Sequence, residues 1–116
     1  LGRGDFVAGG WGHDLVDTLK PADIAVEKVA YSAFYMTRLE WLLRKCGVRH
    51  LYACGIVSNG GVASTVRDAH VRDVGVTVLT DGCAAFSSAT HDAAMADLAT
   101  IARPLTVSAA VSEVAV

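Results

Sequence analysis

Several features that the sequence lacks exclude whole classes of protein. It has no apolar run of about 18 residues, the length needed to cross a bilayer, and no basic stretch followed by an apolar one at its start, so neither a membrane span nor a secretory signal is predicted. Lysine and arginine do not cluster and the formal net charge is −2, which argues against a nucleic-acid-binding surface.

Cysteine and histidine are also sparse. Three cysteines without C-x-x-C spacing do not suit a disulfide framework or a zinc site, and they indicate reduced thiols in a cytoplasmic protein. The four histidines are scattered along the chain and lack metal-ligand spacing. We therefore predict no metal and no other cofactor.

What the sequence does contain is an alternation of strand and helix patterns over 116 residues, enough for one domain. Residues 1–13 are glycine-rich and are predicted to form a loop. Strands are predicted at 24–28, 51–57, 76–80 and 105–107. Helices are predicted at 14–19, 34–46, 61–73, from Ser87 or Ser88 to about 101, and from 111 onward. Strands separated by helices imply βαβ units, and so an α/β/α sandwich of three layers with a mostly parallel, Rossmann-like sheet.

The most specific stretch runs Gly55-Ile-Val-Ser-Asn-Gly-Gly-Val-Ala-Ser-Thr-Val-Arg-Asp-Ala69. An apolar run stops there at a polar, glycine-rich elbow, residues 58–61, and a helical pattern follows at once. A strand that turns directly into a helix aims backbone N–H groups beyond the sheet edge, which suits an oxyanion or a carboxylate. Lys28 and Asp81 also lie at the carboxyl ends of predicted strands, and ligands bind beyond the carboxyl ends of parallel strands. We therefore expect Lys28, the elbow and Asp81 to converge.

The elbow resembles the nucleophile turn of the isochorismatase-like cysteine hydrolases, G-[IV]-x-[TS]-[ND]-x-C-V-x-[ST]-T-x-x-[DN]-A. The matching positions are Gly55, Ile56, Ser58, Asn59, Val62, Ser64, Thr65, Asp68 and Ala69. A second block, Lys28-x-x-x-Ser32-x-Phe34-x-x-Thr37-x-Leu39, is similar to the family's lysine strand and the helix after it. With Asp81 and the helix start at 91–94, the resemblance covers nearly the whole chain. Residues 1–116 are thus interpreted as a partial isochorismatase-like domain, nearest to the ureidoacrylate and N-carbamoyl amidohydrolases.

The resemblance implies a mechanism in which an Asp, a Lys and a Cys cooperate, so that a thiolate attacks an amide or ureido carbonyl. It implies that Lys28 is the catalytic lysine. It also implies that the N–H groups of Val57 and Gly61 hold the oxyanion, with a cis peptide before Val57. Relatives are commonly homo-oligomers, so a homo-oligomer is expected. Contacts to a small-molecule substrate are predicted at Tyr31, Asn59 and Gly60.

Two members of that triad are missing. Gly61 stands at the nucleophile position. The family's Asp lies on its first, central strand, which would precede Leu1, so the sheet is expected to lack that strand and either to contain a gap or to re-pair. The isolated chain is therefore expected to be poorly soluble, or to be completed by another segment. Two functions stay open: hydrolysis of a small amide or ureido C–N bond, weak for want of the thiol, or a non-catalytic small-molecule-binding or oligomer-scaffolding domain.

Other side chains have plainer interpretations. Cys83 near a strand end and Ser58 at the elbow are open as substitute nucleophiles, although no cation flanks the thiol and no base is identifiable for the hydroxyl. His91 is expected to be a surface or packing residue in the first turn of its helix. Cys54 is predicted to be a buried strand residue, Cys46 to lie in a helix core, and Trp11 and Trp41 to be packing anchors.

Overall fold

The computed structural model describes residues 7–115, which contain a parallel three-stranded sheet and four α-helices. The strands are β1 (His50–Ile56), β2 (Gly75–Ala84) and β3 (Arg103–Leu105). The helices are α1 (Leu39–Lys45), α2 (Ala63–His70), α3 (Ser88–Leu98) and α4 (Val107–Val114). Two 3-10 turns, Trp11–His13 and Asp17–Leu19, precede α1, and a π-helical turn, Ser58–Val62, joins β1 to α2.

The strands lie side by side in chain order, and both pairs are parallel. Helix α2 connects β1 to β2, and α3 connects β2 to β3, as the predicted βαβ units require. The register of β1 on β2 shifts between Ala53 and Gly55. The strands are contiguous, so the predicted gap within the sheet is not found, and β1 lies at an edge of the sheet that the described residues form.

The hydrophobic core lies on one face of the sheet, beneath α2 and α3. Val76 and Val78 of β2 project into it, and Leu51 and Ala53 of β1 pack against it, as the period-2 alternation of a strand dictates. Its buried members are Phe34, Val62, Ala63, Val66, Ala69, Val76, Val78 and Leu98.

Helix α4 covers part of the opposite face. Tyr52, Thr77 and Arg103 are lateral neighbours across the three strands, and side chains aligned in this way point to the same face. Arg103 forms an ion pair with Glu113 of α4, and Thr77 is fully buried. The sheet therefore lies between two helical layers, which confirms the predicted sandwich.

Two predicted elements near the N-terminal side are wrong. The strand at 24–28 is absent, because a strand persists only when paired and the described residues place no partner beside it. The helix predicted from residue 34 begins at Leu39. Ser32 Oγ accepts from Phe34 N, Thr37 Oγ1 accepts from Leu39 N, and Met36 has φ of 51°; side chains that bond nearby backbone compete with helix formation.

Other element boundaries differ from the predictions for local reasons. The short helix at 14–19 is reduced to the 3-10 turn over its last three residues. Strand β2 runs to Ala84, four residues beyond its predicted end, and α4 begins at Val107 rather than at 111. Thr106 caps α4 by accepting a hydrogen bond from Ala109 N, and this capping interaction fixes where the helix begins.

The expected burial of four side chains is also wrong. Trp11 is 94% exposed and Trp41 is 58% exposed, so neither is a packing anchor within the described residues. Cys46 is exposed because it caps the C-terminus of α1 rather than facing its core side. Cys54 is exposed because it lies on the face of β1 that points away from the hydrophobic core.

Candidate functional site

The site is built around the elbow that follows β1. The strand ends at Ile56, the Ile56–Val57 peptide bond is cis, and the π-helical turn leads directly into α2. The cis peptide predicted from the resemblance is thus confirmed. Val57 O accepts hydrogen bonds from Gly60 N at 3.0 Å and from Val62 N at 3.3 Å. Single π-helical turns of this kind are frequent at functional sites.

Lys28 lies against this elbow. Its Nζ donates to Ala30 O at 3.0 Å and to Tyr31 O at 3.3 Å. A Cβ atom placed on Gly61 would stand 3.7 Å from Lys28 Nζ, 3.3 Å from Tyr31 O and 3.5 Å from Ile56 O. The structure therefore brings Lys28 and Gly61 together as expected, although Lys28 is held by a loop and not by a strand end.

The three residues predicted to contact the substrate differ in their exposure near Lys28 and Gly61. Asn59 is exposed at the elbow. Tyr31 is 72% exposed, and this residue faces the site through its carbonyl oxygen. Gly60 is buried, and a Cβ there would meet Val57 Cγ2 at 2.8 Å. A side chain at position 60 would therefore force Val57 to shift.

Asp81 does not join the site, and its expected convergence is wrong. It lies within β2 and not after it, because that strand continues to Ala84. Its Oδ1 accepts a hydrogen bond from Val107 N at 2.7 Å. A carboxylate at a helix N-terminus satisfies an otherwise free donor and complements the helix dipole. Asp81 thus helps to begin α4.

The histidine partner of Ser58 is not among the sequence predictions. Ser58 Oγ lies 2.6 Å from His91 Nδ1. The hydroxyl-bearing residue is fully buried and the histidine is half-buried. Ser58 begins the turn that follows β1, and His91 lies in the first turn of α3, the helix that follows the adjacent parallel strand β2. That shared position is a signal that could have predicted their contact.

The candidate substitute nucleophiles are poorly placed for thiol or hydroxyl chemistry. Ser58 has 0% of its surface exposed, so a substrate does not reach it. Burial raises the pKa of the half-buried Cys83 thiol, which disfavours the reactive thiolate. Cys54 lies on the exposed outer face of β1, away from the core side to which α2 packs.

Other features of the described residues lie outside this site. A cavity of about 360 Å³ is lined by Phe34, Arg49 and Val74 among others, near the amino ends of β1 and β2, and so opposite the elbow. Residues 7–115 contain no group of three His, Cys, Asp or Glu side chains suited to a metal ion. Within that same range, no helix is long and apolar enough to cross a membrane.

Comparison with known proteins gives consistent matches. The family model described as Isochorismatase domain matches residues 1–110. The ureidoacrylate amidohydrolase RutB of Enterobacter sp. (strain 638) is 44% identical over 87 residues, which are 73% of this chain and 35% of the relative. RutB of Caulobacter segnis is 42% identical over 94 residues, 78% of this chain and 36% of the relative. The chain thus spans about a third of the length of these curated relatives.

Solved structures show the same architecture. An isochorismatase-like hydrolase from Alkaliphilus metalliredigens matches with a TM-score of 0.84 and 29% identity, over 90% of this chain and 60% of that one. An isochorismatase family protein from Desulfovibrio vulgaris matches with a TM-score of 0.85 and 30% identity, over 95% of this chain and 60% of that one.

Proposed function

Because this chain belongs to the isochorismatase family, we propose that its elbow binds a small amide or ureido compound without covalent attack from position 61. Lys28 supplies a positive charge beside the bound group, and the N–H groups of Val57 and Gly61 are the donors toward its carbonyl oxygen. Tyr31, Asn59 and Gly60 border the bound compound. The domain would then keep the binding site of an amidohydrolase and lack its covalent catalysis.

One observation carries the proposal. The Lys28 ammonium lies 3.7 Å from the position of a Cβ on Gly61, so a compound seated over Gly61 meets a fixed cation. Charged donors form stronger hydrogen bonds than neutral ones, and a cation beside a carbonyl stabilises negative charge that develops on its oxygen. The ureido class is suggested by relatives that are ureidoacrylate amidohydrolases.

The absence of a thiol at position 61 argues against acyl-enzyme chemistry. A thiolate is the attacking group in cysteine hydrolysis, and glycine offers no side-chain nucleophile. Ser58 is inaccessible, and the raised pKa of Cys83 keeps its thiol protonated. Loss of a nucleophile that works with its base typically lowers the rate by several powers of ten. We therefore expect binding to persist where turnover does not.

Calorimetric titration with 3-ureidopropionate, a stable ureido acid, tests the binding step. We expect saturable binding to the native chain and at least about tenfold weaker binding to Lys28→Met, since a charge-assisted contact is worth more than a factor of ten. Lys45→Met is the matched control, because Lys45 lies on α1 over the Trp41 ring. No binding to the native chain, or equal loss in both variants, would contradict the proposal.

A hydrolysis assay tests the second half of the proposal. Native chain incubated with the same ureido acid is expected to release no ammonia above the buffer rate. Sustained release that disappears in Cys83→Ala would show a substitute nucleophile and overturn the non-covalent assignment. The homo-oligomer and the cytoplasmic location stay predictions, and sedimentation velocity checks the first of them.

A further inference from the structure

We propose that His91 is a positioning residue for the elbow: through its hydrogen bond with Ser58 it holds the Ser58–Val62 turn so that Gly61 stays beside Lys28. The purpose of this contact rests on the proposed function. The positioning role itself is independent of the proposed function, because it can be measured without a bound ligand.

The bond is short and buried on its serine side. Ser58 Oγ and His91 Nδ1 lie 2.6 Å apart, and Ser58 has 0% of its surface exposed. A buried hydroxyl that loses its partner is left without water to replace it. The Ser58 hydroxyl therefore depends on His91 for its hydrogen bond, and this bond holds Ser58 close to α3.

His91 is well fixed on its own side. The Ser87 side chain caps α3 by accepting from Thr90 N at 3.1 Å, and His91 N donates to Ser87 O at 3.0 Å. Further along α3, Ala94 and Leu98 are buried, and Leu98 belongs to the core. The imidazole is thus carried by a capped and packed helix, which makes it a firm anchor for a neighbouring turn.

The elbow is the segment that needs an anchor. It contains two successive glycines, Gly60 and Gly61, and glycine restricts backbone conformation less than any other residue. The described backbone bonds of the turn run to Val57 O from Gly60 N and Val62 N, and to Gly60 O from Ala63 N, so they join only near neighbours in sequence. The Ser58–His91 bond instead ties the turn to another element.

A serine bonded to a histidine also suggests an activated nucleophile. The burial of Ser58 excludes this role, because an attacking oxygen must reach the substrate carbonyl. The contact therefore acts on the position of the turn. The contact affects the chemistry of the elbow only by setting the distance between position 61 and Lys28.

The test uses Gly61→Cys as a reporter of that distance. Iodoacetamide reacts with thiolates, and an ammonium close to a thiol increases the fraction present as thiolate. The alkylation rate of the introduced thiol therefore reports how closely Lys28 approaches it. Peptide mass spectrometry measures this rate relative to that of native Cys46 in the same molecule. Cys46 is exposed at the end of α1 and is a suitable internal reference. We expect His91→Gln to lower this ratio at pH 7 by at least about threefold.

His91→Asn provides the matched control. The terminal atoms of asparagine reach the place of Nδ1, whereas those of glutamine reach the place of Nε2, so Asn should restore the ratio and Gln should not. Hydrogen exchange in chains with native Gly61 gives a second readout: amides 59–62 should lose protection in His91→Gln while those of β2 keep theirs. If Asn and Gln leave both readouts as in the native background, or change them equally, the proposal is wrong.

The outcome is separable from that of the proposed function. Failure of the native chain to bind 3-ureidopropionate would leave the thiol ratio and the exchange pattern unaffected. A ratio insensitive to residue 91, together with normal ligand binding, would overturn the positioning role alone.

Discussion

Lys28 Nζ lies 3.7 Å from the point where a Cβ would stand on Gly61, although the two residues are distant in sequence. The ammonium is oriented by two carbonyl oxygens, those of Ala30 and Tyr31. One of these, Tyr31 O, also lies 3.3 Å from the same Cβ position. The loop that holds Lys28 therefore forms one wall of the elbow, and a side chain introduced at position 61 would enter a positively charged environment.

A thiol introduced by Gly61→Cys should consequently have a lowered pKa. An ammonium nearby favours the thiolate, so the pKa of the introduced thiol is expected below about 8.5, the ordinary value for cysteine. The pH dependence of its alkylation, resolved by peptide, gives that pKa. Adding Lys28→Gln should return the value toward that of exposed Cys46. A thiol pKa at position 61 that is unchanged by Lys28→Gln would show that the ammonium does not act on this position.

Gly60 is expected to tolerate substitution poorly. A Cβ there would meet Val57 Cγ2 at 2.8 Å, and overpacking of this kind costs about 1–3 kcal/mol. Urea unfolding of Gly60→Ala should show that loss. The same substitution in a Val57→Ala background should cost clearly less, because the obstructing methyl group is gone. Equal costs in the two backgrounds would place the constraint elsewhere, in the backbone of the turn.

The sequence predicts the sheet well because its strands carry local signals. The apolar run at 51–57 and the Ser87 cap both describe interactions between near neighbours, and β1 and α3 form close to their predicted positions. The glycine-rich elbow is predictable for the same reason. The order of strands follows because a parallel βαβ connection leaves few arrangements.

The wrong predictions share a different cause. Whether a side chain is buried or a strand is paired depends on residues that are distant in sequence. Trp11 and Cys54 have apolar side chains that suggest interior positions, yet both are exposed because no described element covers them. The strand predicted at 24–28 lacks a partner to pair with among the described residues. The Ser58–His91 contact likewise joins a turn and a helix that are remote in sequence, so the order of the strands could have indicated it, whereas composition and spacing could not.

The energetic value of that contact can be measured by a double-mutant cycle. His91→Phe leaves Ser58 Oγ buried without a partner, which is expected to cost about 1–3 kcal/mol. Adding Ser58→Ala removes the stranded hydroxyl, so the double variant should be more stable than the sum of the single effects indicates. Urea unfolding of the native chain and the three variants supplies the four free energies. Strictly additive effects would mean that the two side chains do not interact in solution.

The half-buried Cys83 should make stability depend on alkaline pH. Burial raises its pKa, so the folded chain holds this proton at pH values where the unfolded chain has released it. The associated stability is therefore complete below the unfolded pKa of about 8.5 and is lost as pH rises through the higher folded value. Urea unfolding between pH 7 and pH 10 should show this decline, and Cys83→Ala should reduce its slope. Alkylation of Cys83 at pH 8 should also be slower than that of exposed Cys46; a faster reaction at Cys83 would contradict the direction of its pKa shift.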